Sequence, residues 1–146
     1  MSQNTASGVM AGKRGLIMGV ANDRSIGWGI ASKLAEQGAE LAFTFQGEAL
    51  QKRVGPLAAS VGSDLVIPCD VTDEASVDAV FERLAKEWGK LDFVLHAIAY
   101  SDKEELKGGY VDTSRGNFQR TMDISVYSFT EITRKAAAMM NDGGSL

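Results

Sequence analysis

The sequence predicts an α/β fold, a doubly wound parallel sheet, on two observations. Short apolar runs alternate along the chain with longer segments of helical period, the pattern of strands joined by helical crossovers. The apolar runs also lack the in-out alternation of a sheet that is wet on one face, so they read as strands buried on both sides. With 146 residues, 45% hydrophobic and 23% charged, the chain amounts to about one globular domain with room for a sizeable core.

The elements follow in order. A polar tail, residues 1–11, is expected to be flexible. Gly15–Met18 reads as the first strand, and the glycine-rich "GVANDRSIGWG" connects it to a helix with Gly27, Ile30, Ala31, Leu34 and Ala35 on one stripe and a stop at Gly38. Leu41–Phe45 is the second strand. A second helix, Glu48 to about Val61, carries Gly55-Pro56 in its middle and is expected to bend or split there. Leu65–Ile67 is the third strand. Thr72 is the expected N-cap of the third helix, with Asp73 and Glu74 in its first turn, Val77, Val80, Phe81, Leu84, Ala85 and Trp88 on one face, and Gly89 as its stop. Phe93–Ala99 is the fourth strand. The polar "YSDKEELKGGYVDTS" then reads as a mobile loop.

From Arg115 to Met140 one long helix can be traced through Phe118, Met122, Val126, Phe129, Thr133, Ala136 and Met140. Ile124 and Tyr127 fall off that stripe and suggest a second apolar face, of the kind that meets another subunit. "NDGGSL" reads as a helix stop followed by the opening of a fifth strand. A parallel sheet ending there leaves an edge uncovered, so residues 12–146 are expected to be the N-terminal part of one domain, truncated at the fifth strand, with its C-terminal part absent from this chain.

Composition excludes several function classes. Net charge is −4 with the two signs interspersed, which gives no footprint for a phosphate backbone, so no nucleic-acid partner is expected. No apolar run approaches the ~18 residues of a membrane span, and the N-terminus lacks a basic segment followed by an apolar one. The expected location is the cytoplasm. The single cysteine, Cys69, excludes an internal disulfide and reads as a small buried residue. No metal site is expected. His96, the only histidine, lies at a strand end and reads as structural.

The glycine-rich loop sits where a dinucleotide pyrophosphate binds, between strand and helix, yet the G-x-G-x-x-G spacing is absent. Gly19 is placed for the tight turn and Gly27 for close helix packing. Ser25 stands where a glycine would be, its hydroxyl a phosphate donor, and the amides of Ser25 and Ile26 complete an anion site. Spacing alone leaves cofactor binding and a plain loop equally open. At the end of the second strand, Gln46 can hydrogen-bond ribose hydroxyls but brings no charge to a 2'-phosphate, which favours NADH over NADPH. Asp70-Val71 offers a carboxylate to the adenine amino group and an apolar wall to its ring, or else Asp70 caps the next helix.

Taken together, "GVANDRSIGWGIA", "GAELAFTFQGE", "CDVTDEASVDAVF", "LDFVLHAIAY" and "DISVYSF" resemble the bacterial NADH-dependent enoyl-[acyl-carrier-protein] reductases, a divergent branch of the short-chain dehydrogenase/reductase superfamily. The resemblance runs from about Gly12 to Leu146. It implies a Rossmann-like dinucleotide-binding domain and the reduction of trans-2-enoyl-[acyl carrier protein] by NADH in fatty-acid elongation. It assigns Gly19, Ala21, Ser25 and Ile26 to the pyrophosphate and ribose region, Gln46 to the adenosine end and Asp70 with Val71 to adenine. Ala97, Ile98, Ala99 and Ile124 fall along the cofactor, and Tyr100-Ser101 opens the substrate side. The family's tyrosine and lysine belong to a Tyr-x6-Lys element beyond the fifth strand, so no catalytic residue is expected in this chain. A homotetramer and an acyl carrier protein partner are implied. The alternative is a catalytically inactive, stand-alone nucleotide-binding or interaction module.

Overall fold

The structure, a computed structural model, describes residues 8–146; the first seven residues of the expected tail lie outside them. Residues 8–11, the remainder of that tail, form turns, and the Met10 amide donates to Gln37 O at 3.0 Å.

Five strands, β1 (Arg14–Met18), β2 (Glu40–Phe45), β3 (Val66–Pro68), β4 (Leu91–His96) and β5 (Met140–Ser145), form one parallel sheet in the order β3-β2-β1-β4-β5. The helices are α1 (Ile26–Glu36), α2 (Glu48–Ser60), α3 (Glu74–Trp88), α4 (Arg115–Met122) and α5 (Ser128–Ala137), the last two joined by a π turn, Asp123–Tyr127. Successive side chains of a strand point to opposite faces. Ile17, Leu41 and Phe43 therefore pack with Ala31 of α1 and Val54 and Ala58 of α2, while Leu16, Met18 and Ala42 pack with Val77 and Leu84 of α3 and Ile132 of α5. Both faces being covered is why these strands read as unbroken apolar runs. Because β2 and β3 lie on one side of β1 and β4 and β5 on the other, the sheet has a topological switch point beside the C-terminal end of β1. Ligands of open α/β sheets bind at such a point.

Several elements differ from expectation. Helix α2 runs unbroken through Pro56: Pro56 and Lys52, whose carbonyl the ring deprives of a donor, are both exposed, so water replaces the missing bond. The N-cap of α3 is Asp73, whose side chain accepts from the Ala75 amide, rather than Thr72. Strand β3 begins at Val66, and β4 ends at His96 rather than Ala99. The polar loop after β4 contains two 3₁₀ turns, Lys103–Leu106 and Tyr110–Asp112, and Glu105 binds the Ser114 amide and hydroxyl at 2.9 and 2.6 Å.

The long helix shows the largest difference. It ends at Ala137, Met140 opens β5, and the π turn interrupts its register. One residue added to a turn rotates everything after it by about 100°. The traced stripe faces outward at Phe118 and Met122, before the turn, and at Val126 and Phe129 within and after it, while its Ala136 is buried together with Ile124, Ser128, Glu131 and Ile132, which lie off it. Ile124 thus faces the sheet and is not part of an exposed second face. Lys135 ties α5 to α3, its ammonium 2.5 Å from Asp78 and 3.6 Å from Glu74.

Candidate functional site

The loop after β1 lies flush against the end of β4. Gly19 has φ +101°, and a Cβ there would stand 2.0 Å from Ala97 O. The Ala97 amide donates to Met18 O at 2.9 Å, so neither backbone is free to retreat. Gly27 is less constrained than its expected packing role suggests. A Cβ at that position would meet Ala97 Cβ and Val20 Cγ2 at 3.5 Å, ordinary contact.

Ser25 organises the loop from within. Its hydroxyl oxygen accepts from the Ala21 and Asn22 amides at 3.0 and 3.1 Å, and its own amide donates to Asn22 O at 3.2 Å. That amide is therefore spent inside the loop and does not join Ile26 in an anion site, as the sequence suggested. The donors left over are the first-turn amides of α1 from Ile26 onward, which have no side-chain cap. The Ser25 hydroxyl donates to Asn22 Oδ1 at 3.5 Å, a long bond that an incoming anion can replace.

A cleft of about 280 Å³ opens over the C-terminal ends of β1, β2, β3 and β4. It brings together Gly19, Ala21, Gln46, Asp70 and Val71 with Ala97, Ile98, Ala99, Tyr100 and Ile124. Three expected residues lie outside its lining. Ser25 and Ile26 stand at the start of α1, with the Ile26 side chain exposed. Ser101 lines an adjoining depression, where its hydroxyl oxygen accepts from Asn117 Nδ2 at 3.1 Å and Thr121 Oγ1 at 3.2 Å.

Asp70 Oδ1 accepts from the Thr72 hydroxyl at 2.7 Å and the Thr72 amide at 2.9 Å, while the Asp70 amide donates to Ser76 Oγ. These Thr72 bonds hold the Asp70 carboxyl below the usual carboxylate range against the opposing effect of burial, with smaller help from Gln46 and the charge of Arg120. Because Asp73 caps α3, the carboxylate of Asp70 is not the helix cap and stands in the cleft lining.

Arg120 lines the cleft and escaped the sequence reading. Its guanidinium carbon lies 4.8 Å over the Tyr100 ring, a cation–π contact. The one sequence signal for it is that Arg120 precedes Ile124 by four residues and so shares a helix face with it. Cys69 also lines the cleft, but burial, with the Asp70 charge behind it, pushes its thiol up to about 11. A thiol of that kind is not nucleophilic at neutral pH. His96 turns away from the cleft. Its Nε2 lies 2.7 Å from Ser128 Oγ and its ring meets Phe129 edge-on at 5.5 Å, while burial holds its pKa below the usual histidine value.

Comparison with known proteins is consistent across sequence and structure. The profile of a family described as enoyl-(acyl carrier protein) reductase matches residues 19–146. The enoyl-[acyl-carrier-protein] reductase [NADH] 1 of Rhizobium meliloti (strain 1021) is 65% identical over 141 residues, covering 97% of this chain and 52% of the relative. The crystal structure of the enoyl-(acyl-carrier-protein) reductase of Anaplasma phagocytophilum in complex with NAD superposes with a TM-score of 0.91 at 57% identity, covering 96% of this chain and 54% of that one. FabI from Candidatus Liberibacter asiaticus gives a TM-score of 0.89 at 57% identity, covering 91% and 52%. The chain spans about half the length of the curated relatives it matches.

Proposed function

The chain belongs to the enoyl-(acyl carrier protein) reductase family, and from that premise we propose that its cleft holds NADH for the reduction of a trans-2-enoyl-[acyl carrier protein] in fatty-acid elongation. The observation that carries the reading is the cradle itself. Gly19 is packed on Ala97 O with no room for a side chain, beneath the uncapped first turn of α1, and Asp70 stands in the same cleft.

When bound, the nicotinamide supplies the hydride. The α1 amides and the Ser25 hydroxyl meet the pyrophosphate charge, which the positive end of the helix also favours. Asp70 accepts from the adenine amino group, and Val71, Ile98 and Ile124 offer it apolar walls. Gln46 hydrogen-bonds the adenosine ribose. Ala21 lies at the pyrophosphate and ribose region, Ala97 and Ala99 line the cofactor where β4 ends, and Tyr100 with Ser101 opens the substrate side. None of these residues is assigned a proton or hydride step. The outward stripe Phe118, Met122, Val126 and Phe129, with the exposed Tyr127 beside it, supports a homotetramer as the working assembly. No helix among the described residues is long and apolar enough to cross a membrane, and the proposed location is the cytoplasm.

Titration with NADH and with NADPH, followed by nicotinamide fluorescence, tests the cofactor reading. Tighter NADH binding is expected, because Gln46 leaves a 2'-phosphate without a cation at the end of β2. Equal affinities would overturn the choice of cofactor, and no binding of either would overturn the site. The reaction is tested by grafting residues 19–146 of this chain into the Rhizobium meliloti relative in place of its matching segment and following NADH oxidation with a crotonyl thioester. A folded chimaera without turnover would refute it.

A further inference from the structure

The π turn at Asp123–Tyr127 is held from outside the helix. In a π turn each amide reaches five residues back instead of four, so the amide closing this one binds Asp123 O, and Ile124 O loses the donor that an α-helix would give it. The Ser128 hydroxyl replaces that donor, binding Ile124 O at 2.6 Å. Ser128 is 1% exposed, so no water competes for the carbonyl. A hydroxyl has one proton. With that proton on Ile124 O, the 2.7 Å contact between His96 Nε2 and Ser128 Oγ requires His96 to donate, so the neutral ring is the tautomer with its proton on Nε2.

Two residues of the π turn depend on this arrangement. Ile124 is buried and lines the cleft. Ser125, next to it, binds both the amide and the carbonyl of Tyr100, at 3.0 and 3.2 Å, and so pins the segment that leaves β4 along the same cleft. His96 ends β4 three residues before Ala99.

We propose that His96 and Ser128 are positioning residues for the cofactor cleft: a hydrogen-bond relay from His96 through Ser128 to Ile124 O holds the π turn that sets Ile124 in the cleft wall and Ser125 against Tyr100. The relay touches neither cofactor nor substrate, and its role rests on the reading of the cleft as an NADH site. An unpaired carbonyl in the buried turn would favour a return to α-helical register. That return rotates Ile124 off the wall and Ser125 off Tyr100.

The test uses this chain and three variants, Ser128→Ala, His96→Leu and His96→Gln, each first shown to be folded by far-UV circular dichroism. With one histidine in the sequence, long-range proton–nitrogen NMR reports its tautomer without ambiguity, and the Nε2-protonated form is expected. Hydrogen exchange at residues 124–128 should be faster in Ser128→Ala and His96→Leu, and both should bind NADH about tenfold more weakly, the effect of losing one net hydrogen bond. His96→Gln keeps an amide donor on a side chain of similar reach and should recover most of the affinity. An Nδ1-protonated ring, unchanged exchange and affinity in folded His96→Leu, or a His96→Gln no better than His96→Leu would each overturn the relay. Failure of the unsubstituted chain to bind NADH would instead overturn the cofactor role of the cleft, while the tautomer and the exchange rates still judge the relay.

Discussion

Replacing Gly19 with alanine should be strongly damaging. The added Cβ would lie 2.0 Å from Ala97 O and 2.5 Å from Ala97 C, and both are backbone atoms, so no side-chain rotation relieves the clash. The backbone at φ +101° adds strain of about 1–3 kcal/mol for a residue with a side chain. Moving Ala97 away breaks its amide bond to Met18 O, a further loss of roughly 0.5–1.5 kcal/mol. Together these give about 2–4 kcal/mol, which for a chain of this size lowers Tm by roughly 5–15 °C. NADH affinity should fall as well, because the loop can no longer lie against β4. Thermal unfolding by circular dichroism and a fluorescence titration measure the two effects. Gly27→Ala is the internal control: its Cβ finds ordinary contact at 3.5 Å, and alanine favours the helix by about 0.5–1 kcal/mol, so Tm should hold or rise. A Gly19→Ala protein within about 2 °C of the parent and binding NADH equally well would refute the cradle geometry.

Three further outcomes follow from the site. Asp70→Ala should weaken NADH binding by about 1–3 kcal/mol, and in the chimaera with the Rhizobium meliloti relative it should raise KM more than it changes kcat, since a contact remote from the reacting carbon is equally present in ground and transition states; an unchanged KM would remove Asp70 from the cofactor. Burial lowers the native pKa of His96, so the unfolded chain takes up its proton first. Stability should therefore be level above about pH 6.5 and fall as pH drops from there toward the lowered native value, and urea midpoints that decline equally in His96→Gln would show that other groups cause the slope. Cys69, with its thiol pushed up to about 11, should resist iodoacetamide at pH 7.5 under conditions that label free cysteine completely. Rapid stoichiometric labelling of the folded chain would contradict its burial.

The sheet was legible in the sequence because its cause is local. Leu16, Ile17 and Met18 are apolar in succession since both faces of β1 are covered, and the same holds for Leu41, Ala42 and Phe43. The glycine-rich loop and the pair Asp70-Val71 were legible for a related reason: they sit at strand ends, and strand ends of a parallel sheet converge on one side whatever the intervening helices contain. Gly19, Gln46, Asp70 and Ile98 meet there although they are far apart in sequence.

What only the tertiary structure decided depends on pairings between distant residues or on a shift in phase. Nothing in "MDISVYSF" marks a π turn, because the extra residue is held by His96 of β4 acting through Ser128. Hydrophobic periodicity does not say which of two apolar stripes is the buried one: Phe118, Met122, Val126 and Phe129 lie outward, while the face that carries Ile124, Ile132 and Ala136 is buried. Arg120 was hidden likewise, since it shares the helix face of Ile124. Which amides of the glycine-rich loop stay free also lay beyond the sequence. Ser25 offers both an amide and a hydroxyl to an anion, and only the closed loop shows the amide already bound to Asn22 O.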